Sequence, residues 1–372
     1  MTLINLGTGD PETELLPLDE LREAALHRLS LGEKGFLQYL VPEQGSPAFR
    51  EMLAAFLTRH YRCPVEAENL LMTAGASHGL DLILKHFVRP GDTVLVEDPT
   101  YHLALDVVRD YDVRIVPVPV DECGLNMDVL AGILTEHSPA LLYTIPLFHN
   151  PTGTTLPVER RRRLIELARE HDFTIAADEV YQLLGEPEHT PPPLSTFGRD
   201  RVLSLGSFSK ILAPGLRLGW IECAPQQMQV LARDGMLVSG GALNAFTTAI
   251  VESALELGIQ ERYLATLRAL YARRRRAMVQ QLKAWMPAPV RFVEPHGGFF
   301  VWLELPTDDV PTSALLERAQ EAGVLLQPGT RFSIAGHFCN CLRLCFACQP
   351  EERIREGCKR LGQVLYSFLP SV

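Results

Sequence analysis

A chain of 372 residues, 47% hydrophobic and 22% charged, is long enough to bury a large core and too apolar for disorder. Its formal net charge of −10 excludes a global attraction to nucleic acid or to acidic membrane surfaces. The start, Met1-Thr-Leu-Ile-Asn-Leu-Gly7, has no basic segment followed by an apolar core, and no apolar run reaches membrane-spanning length. A cytoplasmic protein with neither membrane nor nucleic-acid partners is expected.

Residues 9–17 are Pro-rich and aperiodic and are expected to lie across the surface as an arm. Residues 70–73 read as a strand, and Gly75-Ala-Ser-His-Gly79 as the turn into a helix over 80–87. Strands at 93–97 and 113–118 enclose a helical pattern over 102–110. Residues 141–145, 173–177 and 202–205 are further short apolar strands, with a helical pattern at 160–171. This alternation predicts an α/β fold, a mainly parallel sheet sandwiched by helices. A long helix from about 259 to 285 then leads to strands at 299–305 and 340–346, separated by a helix at 312–323. That pattern predicts a smaller α+β domain. The division is an N-terminal arm and part of the small domain (1–36), a large domain (37–275) and a small C-terminal domain (276–372).

Two arginine runs, Arg160 to Arg163 and Arg273 to Arg276, lie in helical stretches where successive side chains fan around the axis. They are read as solvated helix surface. Cys339, Cys341, Cys345 and Cys348 cluster, but in an alternating, strand-like segment, which argues for buried reduced thiols over structural zinc; no metal is expected.

The chemistry-bearing residues follow the predicted strands, where open α/β sheets place ligands. Gly75-Ala76-Ser77 opens a helix and offers backbone N–H groups to a phosphate, although alone it is an ordinary strand-to-helix turn. Tyr101 follows Asp98-Pro-Thr100 and offers an aromatic face. Asn150 opens Asn150-Pro-Thr-Gly153, a good turn sequence in its own right. Asp178, before Glu179-Val-Tyr181, either caps a helix or faces a cation. Lys210 stands in Ser207-Phe-Ser-Lys-Ile-Leu-Ala-Pro-Gly-Leu-Arg217, where Ser207, Ser209 and Arg217 can converge on one phosphate while the amine forms an imine with a carbonyl. Together these residues describe a flat, heteroaromatic, phosphorylated aldehyde: pyridoxal 5'-phosphate. Lys210 forms the imine and Asp178 pairs with a ring nitrogen. Asn150 and Tyr181 hold a ring oxygen, Tyr101 stacks on the ring, and Ala76, Ser77, Ser207, Ser209 and Arg217 hold the phosphate.

From Gly9 to about Leu361 the order and spacing resemble class I/II aminotransferases, which are fold-type I pyridoxal-phosphate enzymes. The aminoadipate/kynurenine aminotransferase branch is suggested by the lysine block, by Leu37-Gln-Tyr39 and by Pro295-His-Gly-Gly-Phe-Phe-Val-Trp302. The resemblance implies a homodimer in which Tyr39 reaches the cofactor phosphate of the neighbouring subunit; a core aromatic is the alternative reading of Tyr39. It also implies that Arg343 clamps the substrate α-carboxylate, with Gly9 and Asn150 beside it. His149 departs from the family pattern and reads as a satisfied loop histidine.

The implied activity is ping-pong transfer of an amino group from an L-amino acid to a 2-oxo acid through a Lys210 Schiff base, with Lys210, Asp178 and Tyr101 as catalytic residues. A β-lyase or cyclase on the same scaffold is the alternative. A non-enzymatic regulator of this fold is disfavoured, because the resemblance begins near residue 1 and the charge is negative. Phe299, Phe300, Tyr39, Leu15 and Leu16 are candidates for a side-chain pocket, and Arg22 and Arg331 for a distal carboxylate.

Overall fold

The short apolar runs pair into one central sheet. The computed structural model describes residues 3–39, 42–186, 188, 190–306 and 312–369. In chain order, β1 (Ile4–Asn5) is followed by helices α1 (Leu18–Ser30) and α2 (Pro47–Tyr61). Strands and helices then alternate: β2 (Leu70–Thr73), α3 (Ala76–Phe87), β3 (Thr93–Asp98), α4 (His102–Arg109), β4 (Arg114–Asp121), β5 (Gly124–Leu125) and α5 (Met127–Glu136). Next come β6 (Pro139–Thr144), α6 (Val158–Glu170), β7 (Thr174–Asp178), α7 (Ser195–Gly198), β8 (Val202–Ser207) and β9 (Gly219–Glu222). Helices α8 (Pro225–Leu231), α9 (Gly235–Gly240), α10 (Ala245–Glu256) and α11 (Ile259–Trp285) follow. The chain ends with β10 (Arg291–Phe292), β11 (Phe300–Glu304), α12 (Thr312–Glu321), β12 (Val324–Leu325), β13 (Gln327–Pro328), β14 (Cys341–Cys345) and α13 (Glu351–Phe368).

The large sheet runs in the order β2-β9-β8-β7-β6-β3-β4-β5. Its interior pairs are parallel, while β9 runs antiparallel to both β2 and β8. Successive side chains of a strand point to opposite faces, and β3 shows the consequence. Val94 and Val96 pack with Leu80, Ile83 and Leu105 beneath α3 and α4, whereas Leu95 packs with Leu130, Leu164 and Leu167 beneath α5 and α6. Both faces are therefore covered, as the near-continuous apolar strands require. A second, antiparallel sheet has the order β10-β11-β14-β13. No helix among the described residues is long and apolar enough to cross a membrane.

Several expectations need correction. Helix α3 starts at Ala76, not Leu80. Gly79 lies in its first turn, where a Cβ would come within 2.6 Å of Leu205, so the glycine allows the helix to settle closely on the sheet. Strand β9 was missed. It is short, and Trp220 sits where a Cβ on Gly206 would be, 2.0 Å from the indole. Residues 9–17 run over the surface but are tied down, Glu12 pairing with Arg274 and Leu15 O accepting from the Tyr263 hydroxyl (2.6 Å). Ahead of them, β1 pairs in parallel with β12 and Leu6 is fully buried.

The arginine runs are only partly solvated. Side chains 100° apart around a helix cannot all face water when one side is packed. Arg161 is fully buried and donates to Leu156 O (2.8 Å), Pro146 O (2.7 Å) and Pro192 O (3.1 Å). Arg274 and Arg275 are also buried, bonded to Ala347 O and Pro295 O at 2.7 Å each. All eight cysteines are free thiols, and Cys341 and Cys345 are buried in β14.

Candidate active site

The C-terminal ends of the parallel strands β3, β6, β7 and β8 open on one cavity of about 430 Å³. It is lined by Gly9, Ala76, Ser77, Tyr101, Asn150, Asp178, Tyr181, Ser207, Ser209, Lys210, Arg217 and Arg343. Tyr39 does not line it. At 82% exposure Tyr39 is no core aromatic either, which overturns that alternative. Of the proposed pocket residues, Phe300 lines the cavity while Phe299, Leu15 and Leu16 do not; of the two arginines, Arg331 lines it and Arg22 does not.

At one end the backbone of α3 begins. Gly75 caps the helix at φ 86°, and a Cβ there would lie 2.6 Å from Arg217 Nη2, so only glycine leaves room for the guanidinium. Arg217 Nη1 donates to Ser209 Oγ (3.4 Å), and Ser207 Oγ donates to Ser209 Oγ (2.9 Å). No ion pair to Arg217 forms among the described residues. A helix N-terminus, two hydroxyls and an unpaired guanidinium together make an anion cradle that fits a phosphate.

In the middle, Asp178 is 8% exposed. Its Oδ2 accepts 2.8 Å from the hydroxyl of Tyr143, and its Oδ1 accepts 3.4 Å from the N–H of Val180. Burial raises its pKa, and these hydrogen bonds and Lys210 oppose the rise. Burial likewise raises the phenol of Tyr101 to about 12, so it is neutral and suited to face a ring. Tyr181 is buried, edge-on to Phe299 and Phe300 at 5.3 and 6.1 Å. Lys210 Nζ donates to Gly9 O (3.2 Å) and lies 5.4 Å from the Phe299 ring. Burial depresses the ammonium below its ordinary range, with Asp10 opposing, which favours the nucleophilic free amine.

At the far end, Arg343 of β14 is 3% exposed between the rings of Phe300 (4.2 Å) and Phe332 (4.7 Å). Nη1 donates to Asn150 Oδ1 (2.9 Å) and Nη2 to Gly7 O (2.6 Å), while the buried Nε has no partner. An unsatisfied buried donor of a guanidinium without a carboxylate partner is what an incoming carboxylate would complete. Gly9 is tightly placed here, since its Cβ would meet Phe300 at 3.0 Å.

His149 is a buried loop histidine that is only partly satisfied, its Nδ1 hydrogen-bonded and its Nε2 close to a carboxylate without an aligned hydrogen bond. Its Nδ1 meets Thr152 Oγ1 at 2.9 Å and its Nε2 lies 3.1 Å from Glu97 Oε2. Glu97 also accepts from Thr144 Oγ1 and Ile145 N, both at 2.7 Å, so the pair pins the loop that carries Asn150. Sequence reasoning missed Tyr143, and also Thr8, Asp10, His102 and Gln327, which line the cavity mouth. The sequence signal for Tyr143, a phenol within a largely apolar strand, does not name the partner of its hydroxyl.

An anion cradle, a buried carboxylate and a perturbed lysine at the strand ends of a doubly covered α/β sheet define an enzyme that holds pyridoxal phosphate. The sequence pattern of "Aminotransferase class I and II" matches residues 1–361, and the chain belongs to that family. It is 36% identical to an aromatic-amino-acid aminotransferase of Thermococcus litoralis, over 98% of this chain and 88% of the relative. A multiple substrate aminotransferase of Thermococcus profundus superposes with a TM-score of 0.91 at 34% identity, covering 98% of this chain and 91% of the other. The α-aminoadipate aminotransferase of Thermus thermophilus, solved with N-(5'-phosphopyridoxyl)-L-leucine, superposes with a TM-score of 0.88 at 34% identity, covering 98% and 92%. The protein is thus a fold-type I, pyridoxal-phosphate-dependent aminotransferase. It moves amino groups between amino acids and 2-oxo acids by a ping-pong mechanism, and the lyase, cyclase and regulator alternatives are not favoured.

Proposed function

We propose that the 430 Å³ cavity is the transamination site of a homodimeric, cytoplasmic enzyme. The α-carboxylate of an L-amino acid binds Arg343, and Lys210 moves the Cα proton. The observation that carries this reading is the buried Arg343, its Nε unpaired, in the same cavity as Lys210 and Asp178. Pyridoxal phosphate, when bound, supplies the aldehyde carbon that takes the amino group and a ring that accepts the electron pair released at Cα.

The chain's own groups do the rest. With the cofactor bound, Ala76, Ser77, Ser207, Ser209 and Arg217 would hold the phosphate, Tyr101 would face the ring, and Asn150 and Tyr181 would hold its hydroxyl oxygen. Asp178 as a carboxylate would keep the ring nitrogen protonated. Arg343, held flat between Phe300 and Phe332, fixes the amino acid so that its Cα–H bond faces Lys210 Nζ. The depressed pKa of Lys210 leaves the amine free to accept that proton and to return it one carbon away.

Arg331 lines the cavity mouth with a hydrogen bond to Gln327 Oε1 (3.0 Å) and no ion pair among the described residues. Beside it, burial together with Arg331 and Arg343 pushes His102 down to about 4, so the imidazole is neutral. The guanidinium of Arg331 supports acceptance of amino acids with a distal carboxylate.

The dimer is supported by apolar side chains left in water: Leu18 (70% exposed), Leu26 (62%), Leu29 (55%), Leu37 (64%) and Tyr39 (82%). They lie on α1 and in the segment after it, and exposed apolar side chains of this kind are what association covers.

The test mixes cofactor-loaded protein with single L-amino acids in the absence of any oxo acid and follows the near-ultraviolet and visible spectrum. Stoichiometric conversion of the cofactor to its pyridoxamine form is expected, with 2-aminoadipate or glutamate among the competent amino acids. Release of ammonia over repeated turnovers would refute transamination.

A further inference from the structure

One oxygen of Asp178 is already taken. Oδ2 accepts a 2.8 Å hydrogen bond from Tyr143 on the adjacent strand, whereas Oδ1 has only the long 3.4 Å contact from Val180 N. Tyr143 is 1% exposed, in a strand whose Leu141 and Leu142 pack into the apolar cores on the two faces of the sheet. Burying a phenol there costs free energy unless its hydroxyl is paired, and the partner it finds is the one carboxylate facing the middle of the cavity.

The direction of that hydrogen bond is fixed. Burial and Asp178 push the phenol well above its ordinary range, so at any working pH it donates and the carboxylate accepts. A donor held on one oxygen favours the ionised carboxylate, against the burial that dominates its environment. The other charged and titratable groups around Asp178 divide. Lys210 favours ionisation, Glu97 on β3 and the adjacent Glu179 oppose it, and the phenols of Tyr101 and Tyr181 are neutral.

We infer that Tyr143 is a positioning residue for the reaction. Its hydroxyl clamps Asp178 Oδ2 and holds the carboxylate ionised, leaving Oδ1 as the oxygen presented to the cofactor ring nitrogen. This rests on the role given to Asp178 above, and Tyr143 acts through Asp178, not on the substrate.

The test is Tyr143→Phe in the cofactor-loaded enzyme. Three quantities are read: the pyridoxal phosphate dissociation constant, the pH profile of the half-reaction with an amino acid, and the melting temperature. Cofactor affinity should fall about tenfold at neutral pH, the loss of one hydrogen bond to a charged group. The acidic limb of the pH profile should move to higher pH, because the carboxyl has lost the donor that kept it ionised. On an Asp178→Asn background the same change should add little, since the group it acts on is gone.

A lower melting temperature with affinity and acidic limb unmoved would show a purely structural tyrosine and overturn the inference. If Tyr143→Phe fails to fold, 3-fluorotyrosine at position 143 keeps the shape and strengthens the donor. The limb should then move to lower pH, and an unmoved limb overturns the inference equally. Asp178→Asn with unchanged affinity and profile would instead refute the role of Asp178 itself, which separates the two failures.

Discussion

Asn150 Oδ1 accepts a 2.9 Å hydrogen bond from Arg343 Nη1 across 193 residues of sequence. The bond ties the turn after β6 in the large sheet to β14 in the smaller one. The amide proposed to hold the cofactor oxygen is thereby bonded directly to the guanidinium proposed to hold the substrate. The planar guanidinium suits this task because it can serve Asn150 and Gly7 O and still present Nε.

Arg343→Lys keeps the charge but loses the fork and the fit between Phe300 and Phe332. Charge-assisted hydrogen bonds contribute about 1.5–3 kcal/mol each, so kcat/KM for any amino acid should fall by roughly 10- to 100-fold, mainly through KM. Steady-state kinetics with two unlike amino acids would check this. An equal loss for both is expected, because the α-carboxylate is common to them.

Lys210→Ala removes the proton carrier and leaves Arg217, Ser207 and Ser209 in place. Turnover should fall by roughly 100- to 10,000-fold, the usual share of a positioned acid–base group, or more because the covalent link is also lost. Cofactor should still be retained measurably on dialysis through its phosphate. Wild-type turnover in this variant would remove Lys210 from the chemistry.

Much of the site was legible because a parallel sheet converts strand ends into an address. Once 173–177 and 202–205 read as parallel strands, Asp178 and the Ser207–Lys210 block had to lie along the same edge of the sheet, and the structure makes them neighbours by pairing β7 with β8. Tyr143 was not legible. It meets Asp178 only because β6 and β7 are neighbours, in a register that pairs Tyr143 with Ala176, and strand order is not written in local periodicity. The buried Arg161, Arg274 and Arg275 escaped for a related reason: which member of a four-arginine run faces the core is set by helix rotation against the body. His102 and Arg331 approach one another because Thr100 N bonds Phe332 O (2.9 Å), a contact between segments distant in sequence.

Glu222 offers a stability test remote from the chemistry. It is 2% exposed, and burial raises its carboxyl to about 7 from the ordinary 4.5, with Arg199 opposing and Glu179 adding to the rise. The folded state therefore binds more protons than the unfolded chain between those two values. Stability falls as pH rises through that window and levels off above about 7. Glu222→Gln removes the ionisation and leaves Arg199 partly solvated. The variant should be more stable by up to about 3 kcal/mol at pH 8, with the difference vanishing below about pH 5. Urea unfolding across this pH range measures it, and a constant difference would contradict the assigned shift.

Tyr39 gives the sharpest test of a site shared between subunits. It does not line its own cavity and is 82% exposed, and other apolar side chains of α1 and the segment after it, such as Leu18 and Leu37, are exposed too. If Tyr39 completes the phosphate cradle of a neighbour, Tyr39→Ala should weaken cofactor binding about tenfold, the loss of one hydrogen bond to a charged group. Complementation then separates a shared site from a weakened one. In a mixed dimer of Tyr39→Ala and Lys210→Ala chains, the cavity that keeps its own lysine receives an intact Tyr39 from the partner. The other cavity lacks both. Random reassociation should therefore restore about a quarter of wild-type activity at low cofactor concentration, well above the mean of the two variants. Activity no higher than that mean would place Tyr39 outside the neighbouring site, even if sedimentation shows a dimer.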